Sequence, residues 1–443
     1  MKKNHNQSFG SSYTGGQDLK EKIFFVIFIL FIYRIGTYIP LPGINMSVLD
    51  NIAKEQTKGM LGMFNVLTGG ALGRMSIFTL NIMPYITASI VMQLISILSK
   101  DFSEIRKSGE VGKQKISQYS KYLSLMIALF QGYGVAIGAE SLNYNGIKLI
   151  TYPDIYFRTI TMFTLMGGTV SVIWFSDQIN IKGIGNGSSV IIFTGIVSGL
   201  IPSFLSLLEI NKNNGIPLLF LFICCTLAIF MVLLVVFFEK SQRKLLVQYP
   251  RKQVGNKIYS GNSTHLPIKI NISGVIPPIF ANAILLLPAT IINFNATRSV
   301  SNHHRFIEQY LSQGRVLYII LYLFLIVFFC FFYTSIIFNP GETSENLRKS
   351  GAVIVGIRPG YQTKEYLQYI TNRITVIGSI YISLICAIPE ILTHQLSIPI
   401  YLGGTSILII IGVIIDLSAQ VQSHLLGNKY MHLMKKANMM RNR

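Results

Sequence analysis

The chain has 443 residues, of which 51% are hydrophobic and only 13% are charged. A soluble globular protein carries about 25% charged residues, so this composition excludes an ordinary soluble domain and indicates an integral membrane protein. The formal net charge of +20 leaves two interpretations: binding to nucleic acid, or the excess of lysine and arginine that membrane proteins carry in their cytoplasmic loops.

Residues 1–22 are polar and lack the apolar core of a cleaved signal peptide, so we expect them to form a cytoplasmic tail. Beyond the tail, ten apolar runs approach the roughly 20 residues that a membrane-crossing helix needs. They lie at 23–40, 75–97, 122–139, 155–176, 188–208, 216–238, 273–294, 316–338, 374–392 and 399–418. These runs lack the alternation of barrel strands. The sequence therefore predicts an all-α integral membrane protein with ten transmembrane helices.

The distribution of lysine and arginine assigns the two sides of this protein. The tails and the even-numbered connections hold 28 of these residues, the odd-numbered connections hold 8, and Arg34 and Arg158 fall within spans. Because cytoplasmic loops carry the excess of positive charge, both tails are expected to be cytoplasmic, and topology accounts for most of the net charge. Five spans per half would enter from opposite sides, which permits an inverted pseudo-repeat of two five-helix halves.

A glycine-rich apolar segment at about 63–74 precedes the second span. With about 12 residues it is too short to cross a bilayer core that needs roughly 20. An apolar segment of this length, interrupted by Gly69, Gly70 and Gly73, is typical of a re-entrant element that is buried in protein at membrane depth.

These elements divide the chain into five parts. Residues 1–22 form the N-terminal tail, and 23–208 form the N-terminal half with spans 1–5. Residues 209–272 hold span 6 and a basic cytoplasmic loop. Residues 273–418 hold spans 7–10 with a second cytoplasmic loop at 339–373, and 419–443 form the C-terminal tail.

Both large cytoplasmic loops are candidates for a docking surface. The loop from Glu239 to Asn271 carries seven lysine and arginine residues against a single acid, and clustered basic groups attract acidic or phosphate-bearing partners. A solvated loop that only sets the topology is the alternative. In the next loop, Pro359-Gly360 favours a turn that places Arg358 near the loop tip, where its guanidinium can bind a carboxylate or phosphate through two hydrogen bonds.

Other function classes have less support. The chain has no Walker A, HExxH or Gly-x-Ser-x-Gly motif, and His303-His304 has no third metal ligand nearby, so we expect no enzyme, metal site or cofactor. A small-solute transporter stays open as the alternative. Such proteins usually bury ionisable residues in mid-membrane, whereas Arg34, Arg158 and Asp416 lie towards span ends.

Several motifs along nearly the whole chain resemble those of the SecY family, the channel subunit of the bacterial Sec protein translocase. They are the segment 63–74 with the span that follows it, Arg34-Ile35-Gly36, 39–43, 115–119, 183–187, 263–267 with 274–277, the Arg358 loop, 403–406 and 419–422.

The resemblance implies a channel that passes unfolded secretory polypeptides across the bacterial inner membrane and releases transmembrane segments sideways into lipid. It also implies SecE and SecG as partners in a heterotrimer, and unfolded preproteins with their signal sequences as substrates. The SecA ATPase or a ribosome would dock through the basic residues Arg243, Lys244, Arg251, Lys252 and Arg358.

The resemblance further implies three internal sites. A pore ring would comprise Ile82, Ile86, Ser188, Ile192, Ile279 and Ile409. Ser188 departs from the bulky apolar residue that is usual there, so either the ring has five apolar members or the register differs. The plug would be 65–73, with Asn65, Gly69, Gly70 and Gly73. A lateral gate would lie between spans 2 and 7, with spans 3 and 8 beside them and Thr87 and Gln93 as its polar residues.

Overall fold

The structure, a computed structural model, describes residues 15–49, 73–141, 143–144, 147–150, 153–212, 218–249, 252–254, 257–259, 263–295, 315–396 and 403–441. The helices of these residues are α1 (Gly15–Gly36), α2 (Met83–Leu98), α3 (Lys100–Lys107), α4 (Glu110–Ser141), α5 (Asp154–Lys182), α6 (Gly187–Lys212), α7 (Leu218–Lys240), α8 (Ile276–Asn295), α9 (Val316–Ile337), α10 (Pro340–Lys349), α11 (Tyr361–Leu396) and α12 (Gly404–Arg441).

The strands are short and lie in the connections between helices. They are β1 (Asn143–Tyr144), β2 (Ile147–Lys148), β3 (Gln242–Gln248), β4 (Lys252–Val254), β5 (Lys257–Tyr259), β6 (Ser263–Lys269) and β7 (Val353–Ile354). Strands β1 and β2 pair with each other, as do β4 and β5, and the order β6-β3-β7 forms an antiparallel three-stranded sheet. Below, the end of the molecule that carries this sheet is called the sheet end.

Each of the ten predicted spans coincides with a helix: α1, α2, α4, α5, α6, α7, α8, α9, α11 and α12. Within the described residues, α4, α5, α9, α11 and α12 satisfy strict criteria of length and hydropathy for crossing a membrane, and the bent pair α2–α3 makes a sixth when it is counted as one span. The basic loop from Glu239 to Asn271, for which no secondary structure was predicted, contributes β3 and β6 to the sheet.

The second helix begins later than its apolar run suggests. The run starts at residue 75, but residues 73–82 form turns, with left-handed backbone at Met75 (φ 42°) and Asn81 (φ 51°). The helix begins at Met83 with Pro84 in its first turn, where the missing N–H of proline costs no hydrogen bond. Hydropathy alone missed this boundary because the turn residues are as apolar as the helix.

Two apolar cores hold the helices together, and α12 belongs to both. One core lies mainly in the N-terminal half, around Tyr33, Ile82 and Ile191. The other lies in the C-terminal half, around Ile326 and Ile382. From α12, the first core takes Ile409 and Val413, and the second takes Ile407, Leu408 and Ile411. The two halves are therefore joined along α12.

Ion pairs join α4 to α5 near both ends of these helices. Arg158 donates two hydrogen bonds to the carboxylate of Glu140, one of them from Nε to Oε1 at 2.6 Å. Lys121 Nζ lies 2.6 Å from Asp177 Oδ2. The charge of Arg158, which falls within a predicted span, is thus neutralised by a bidentate partner, the strong form of arginine–carboxylate pairing.

Candidate functional site

A narrow cavity lies where α2, α6, α8 and α12 meet. Its volume is about 20 Å³, which is room for about one water molecule. It is lined by Asn81, Met83, Ile86, Ile192, Ile279, Asn282, Thr405 and Ile409. Helices from both halves of the chain therefore converge on this cavity, which is too small to hold a polypeptide.

Four of the six predicted ring residues line this cavity: Ile86, Ile192, Ile279 and Ile409. Each isoleucine comes from a different helix. Branched apolar side chains form no hydrogen bonds with water, so this part of the lining is unfavourable for hydrated ions.

The other two predicted ring residues are placed differently. Ile82 is fully buried and packs in the core of the N-terminal half, and its carbonyl accepts a hydrogen bond from the Ile86 N–H at 3.1 Å. Ser188 lies one turn before Ile192, and its hydroxyl donates to Asn186 Oδ1 at 2.7 Å. Neither is among the residues that line the cavity. The ring of six stays a prediction.

The lining also contains residues that the sequence analysis did not select. Met83, Asn81, Asn282 and Thr405 share the cavity with the isoleucines. The sequence could have indicated two of them, because Asn282 follows the predicted ring residue Ile279 by three positions and Thr405 precedes Ile409 by four. Residues at these spacings lie on one face of a helix.

Most of the predicted plug cannot be placed: Asn65, Gly69 and Gly70 lie outside the described residues. Gly73 is described, in the turn that leads to Arg74. The guanidinium of Arg74 lies 4.1 Å from the ring centroid of Tyr38, a cation–π contact. The chain after the predicted plug is thereby attached to the segment that follows α1.

Backbone hydrogen bonds reinforce this attachment. The N–H of Leu41 donates to the carbonyl of Met75 at 2.9 Å, and the N–H of Ile77 donates to the carbonyl of Ile39 at 3.0 Å. The segment that connects the predicted plug to α2 is therefore held as a short antiparallel pair with the chain after α1.

The predicted lateral gate coincides with a seam between α2 on one side and α8 and α9 on the other. An apolar cluster fills the seam, with Ile90 from α2, Phe280 from α8, and Phe329 and Tyr333 from α9. The rings of Phe280 and Phe329 stack with centroids 5.0 Å apart. Aromatic stacking of this kind adds about 0.5–1.5 kcal/mol beyond the burial of area.

Gln93 makes a direct polar contact across this seam. The hydroxyl of Tyr333, a residue that is 3% exposed, donates to Gln93 Oε1 at 2.6 Å. The other predicted gate residue, Thr87, donates its hydroxyl to the carbonyl of Met83 in its own helix at 3.0 Å. Of the two, Gln93 is the residue for which the structure shows a bond to the facing helix.

The sheet end carries the predicted docking residues. Leu245 and Val247 of β3 are buried against Ile370 and Ile374 of α11 and the strands beside them, whereas Arg243 and Lys244 are exposed. Lys252 belongs to β4, and Arg251 lies outside the described residues. The sheet is thus anchored by its apolar side chains and presents basic ones.

Arg358 lies in an exposed turn that is fixed from both sides. Gly356 and Gly360 adopt left-handed backbone (φ 83° and 107°), which glycine tolerates without strain. The hydroxyl of Thr363 donates to the Arg358 carbonyl at 2.8 Å, and that of Ser344 donates to the Gly360 carbonyl at 2.7 Å. The predicted Pro359-Gly360 turn is present, so the exposed guanidinium projects from a rigid loop.

A polar junction connects the sheet to α8. Asn271 lies two residues beyond β6, and its side-chain Nδ2 donates to Glu239 Oε1 at 2.6 Å. Its side-chain Oδ1 accepts from the backbone N–H of Gly274 at 3.0 Å. Ile279, which lines the cavity, follows Gly274 by five residues. The sheet is therefore connected to the segment that carries Ile279 by a short, hydrogen-bonded junction.

Apolar helices of membrane-crossing length that pack around an isoleucine-lined cavity define a polytopic membrane protein. Comparison with known proteins gives the family. The SecY family model matches residues 76–418. The protein translocase subunit SecY of Rickettsia felis is 50% identical over 422 residues, which are 95% of this chain and 97% of that protein. Its counterpart from Escherichia coli K12 is 43% identical over 440 residues, 99% of each chain.

Solved structures agree on the fold. A protein conducting channel has a TM-score of 0.67 at 17% identity, and Sec61 in the canine ribosome-channel complex from the endoplasmic reticulum has a TM-score of 0.64 at 17% identity; each covers 93% of both chains. The chain belongs to the SecY family and is a protein-conducting channel of the Sec translocase. Family membership removes support from the small-solute transporter.

Proposed function

We propose that the cavity between α2, α6, α8 and α12 is the closed constriction of the polypeptide pore. One observation carries this proposal: Ile86, Ile192, Ile279 and Ile409 reach the same cavity of about 20 Å³ from four helices and from both halves of the chain. Apolar side chains at such a point seal the membrane by excluding water, and they deform around an entering chain because they form no directional bonds with it.

Opening of the pore to one side would separate α2 from α8 and α9. The seam is held by packing and by the bond between Gln93 and Tyr333. Polar contacts between helices in a bilayer contribute about 0.6 kcal/mol on average, so an apolar signal segment can replace them with contacts of its own. This seam is our proposed lateral gate, and segment 65–73 is our proposed plug.

The sheet end is our proposed docking surface for the partner that supplies the driving energy. Arg243, Lys244 and Arg358 are exposed there, and fixed basic groups favour an acidic or phosphate-bearing partner. That partner would be the SecA ATPase or a ribosome; one structural relative was solved in a ribosome-channel complex. SecE and SecG would complete a heterotrimer in the bacterial inner membrane, with the sheet end and both termini on the cytoplasmic side.

Reconstitution tests the proposal. The chain, SecE and SecG in proteoliposomes, with SecA, ATP and a radiolabelled secretory precursor, should give protease-protected precursor that depends on ATP. The matched control omits SecA. Absence of protection in vesicles that hold the assembled complex with SecA bound would contradict the proposed SecA-driven transit, and failure to bind SecE or SecA would contradict the proposed partners.

A further inference from the structure

Three polar side chains share the cavity with the isoleucines. Asn81, Asn282 and Thr405 are 2%, 8% and 3% exposed, respectively, and all three line the cavity. Burial of a polar group costs free energy that an apolar group would not cost, so the presence of three such residues at a constriction that only seals requires an explanation.

On α8 and α12, the polar residue lies farther from the sheet end than the isoleucine does. Helix α8 starts beside the sheet and runs away from it, so Asn282 lies about 4.5 Å beyond Ile279 along the axis. Helix α12 runs the opposite way: its Gly412 packs beside Val275, which immediately precedes α8. Thr405, one turn before the α12 isoleucine, is therefore also on the side away from the sheet.

The same order holds for Asn81, which lies in the turn just before α2. Arg106 of α3, which follows α2, donates to the carbonyl of Ile336 at 3.2 Å. Ile336 lies in the last turn of α9, the helix that leads into the sheet end through α10 and β7. Helix α2 therefore runs towards the sheet end, and Asn81 precedes Ile86. Three elements thus place a polar side chain on the same side of the isoleucines, and these three residues are called the polar layer below.

The hydroxyl of Thr405 is available to a group that is not part of this chain. Among the residues that the structure describes, nothing forms a hydrogen bond with the Thr405 hydroxyl, although the side chain is 3% exposed and lines the cavity. A buried polar atom without a partner requires an explanation. A group that occupies the constriction during the working cycle would supply the missing partner.

We propose that the polar layer binds the peptide backbone of the polypeptide in transit. The inference rests on the proposed function of the constriction. Each residue that passes the isoleucines carries one N–H and one C=O, which lose their water in the apolar ring. Asparagine amides and a threonine hydroxyl both donate and accept, so they bind either backbone group whatever the sequence. Being uncharged, they create no fixed charge that would attract ions.

Removal of the hydrogen-bonding groups with little change of shape tests this assignment. The double variant Asn282→Leu with Thr405→Val should slow single-turnover translocation into proteoliposomes about threefold to tenfold, because one or two bonds of ordinary strength are lost. The ion conductance of the resting channel should be unchanged. Thr405→Ser, which keeps the hydroxyl, should recover the rate that Thr405→Val loses.

Thr375→Val is the matched control, because it removes a buried hydroxyl from α11, where the Thr371 carbonyl accepts its bond at 2.8 Å. It should translocate at the wild-type rate. A wild-type rate in the double variant, with the complex assembled, would overturn the proposal. A slower rate together with a raised resting ion conductance would also overturn the proposal, because the polar layer would then contribute to sealing the closed channel. Failure of the wild-type chain itself would instead contradict the proposed function.

Discussion

The bond between Tyr333 and Gln93 predicts how strongly the proposed lateral gate resists opening. Tyr333→Phe removes only the hydroxyl, which lies 2.6 Å from Gln93 Oε1, and keeps the ring that packs against Phe280 and Phe329. A hydrogen bond between helices in a bilayer contributes about 0.6 kcal/mol on average, with a maximum near 1.7. Its loss should therefore shift the gate equilibrium towards the open state by about threefold, and by at most about twentyfold.

The assay compares two precursors that differ only in the hydrophobicity of their signal segment. A strongly apolar segment opens the gate in the wild-type channel, so its rate should change little in Tyr333→Phe. A weakly apolar segment is limited by the opening equilibrium, and its rate should rise by the factor that the lost bond implies, which is about threefold for a bond of average strength. The quantity measured is the translocation rate of the precursor with the weakly apolar segment divided by the rate of the precursor with the strongly apolar segment.

Two further variants isolate the hydrogen bond. Tyr381→Phe removes a buried hydroxyl from α11 that has no hydrogen-bonding partner among the described residues, so it should leave the ratio unchanged. Gln93→Leu should raise the ratio, and its combination with Tyr333→Phe should add little, because both changes remove the same bond. An unchanged ratio in Tyr333→Phe, or an equal rise in Tyr381→Phe, would refute the reasoning.

Three other predictions follow from the constriction, the docking surface and the helix packing. Ile86→Gly opens the apolar lining of the cavity and should raise the resting ion conductance in planar bilayers; wild-type conductance would count against the ring. Arg358→Glu should abolish precursor translocation while membrane assembly stays normal, and an equal loss in Arg348→Glu would point to net charge instead of the loop tip. A Cβ at Gly404 would lie 2.1 Å from a backbone oxygen of α11, so Gly404→Ala should cost about 1–3 kcal/mol of stability through overpacking. Thermal denaturation of the purified complex measures this cost against Gly427→Ala, whose Cβ meets no atom within 4 Å among the described residues.

The positions of the membrane helices were predictable because they depend on local composition. A helix that crosses lipid needs about 20 apolar residues wherever it lies in the fold, and the ten runs coincide with ten helices. The turn at Pro359-Gly360 was predictable for a similar reason, since these two residues favour it through their own backbone geometry.

The sheet formed by the two large polar loops was not predictable in this way. Its central strand β3 pairs with β6, and also with β7, which lies about a hundred residues further along the chain. The charge of the loop is visible in the sequence, but the pairing that makes the loop rigid depends on α11 supplying the apolar surface beneath it. The start of α2 was missed because turn and helix residues are equally apolar there.

The sequence by itself determined the class of the protein, its spans and the family, since hydropathy and motifs are properties of short segments. The tertiary structure alone decided which side chains meet. Tyr333 reaches Gln93 from 240 positions away, and Asn81, Asn282 and Thr405 share one cavity although they come from three distant segments. Such contacts depend on how helices pack against one another, and helix packing is fixed by the side chains of several segments acting together.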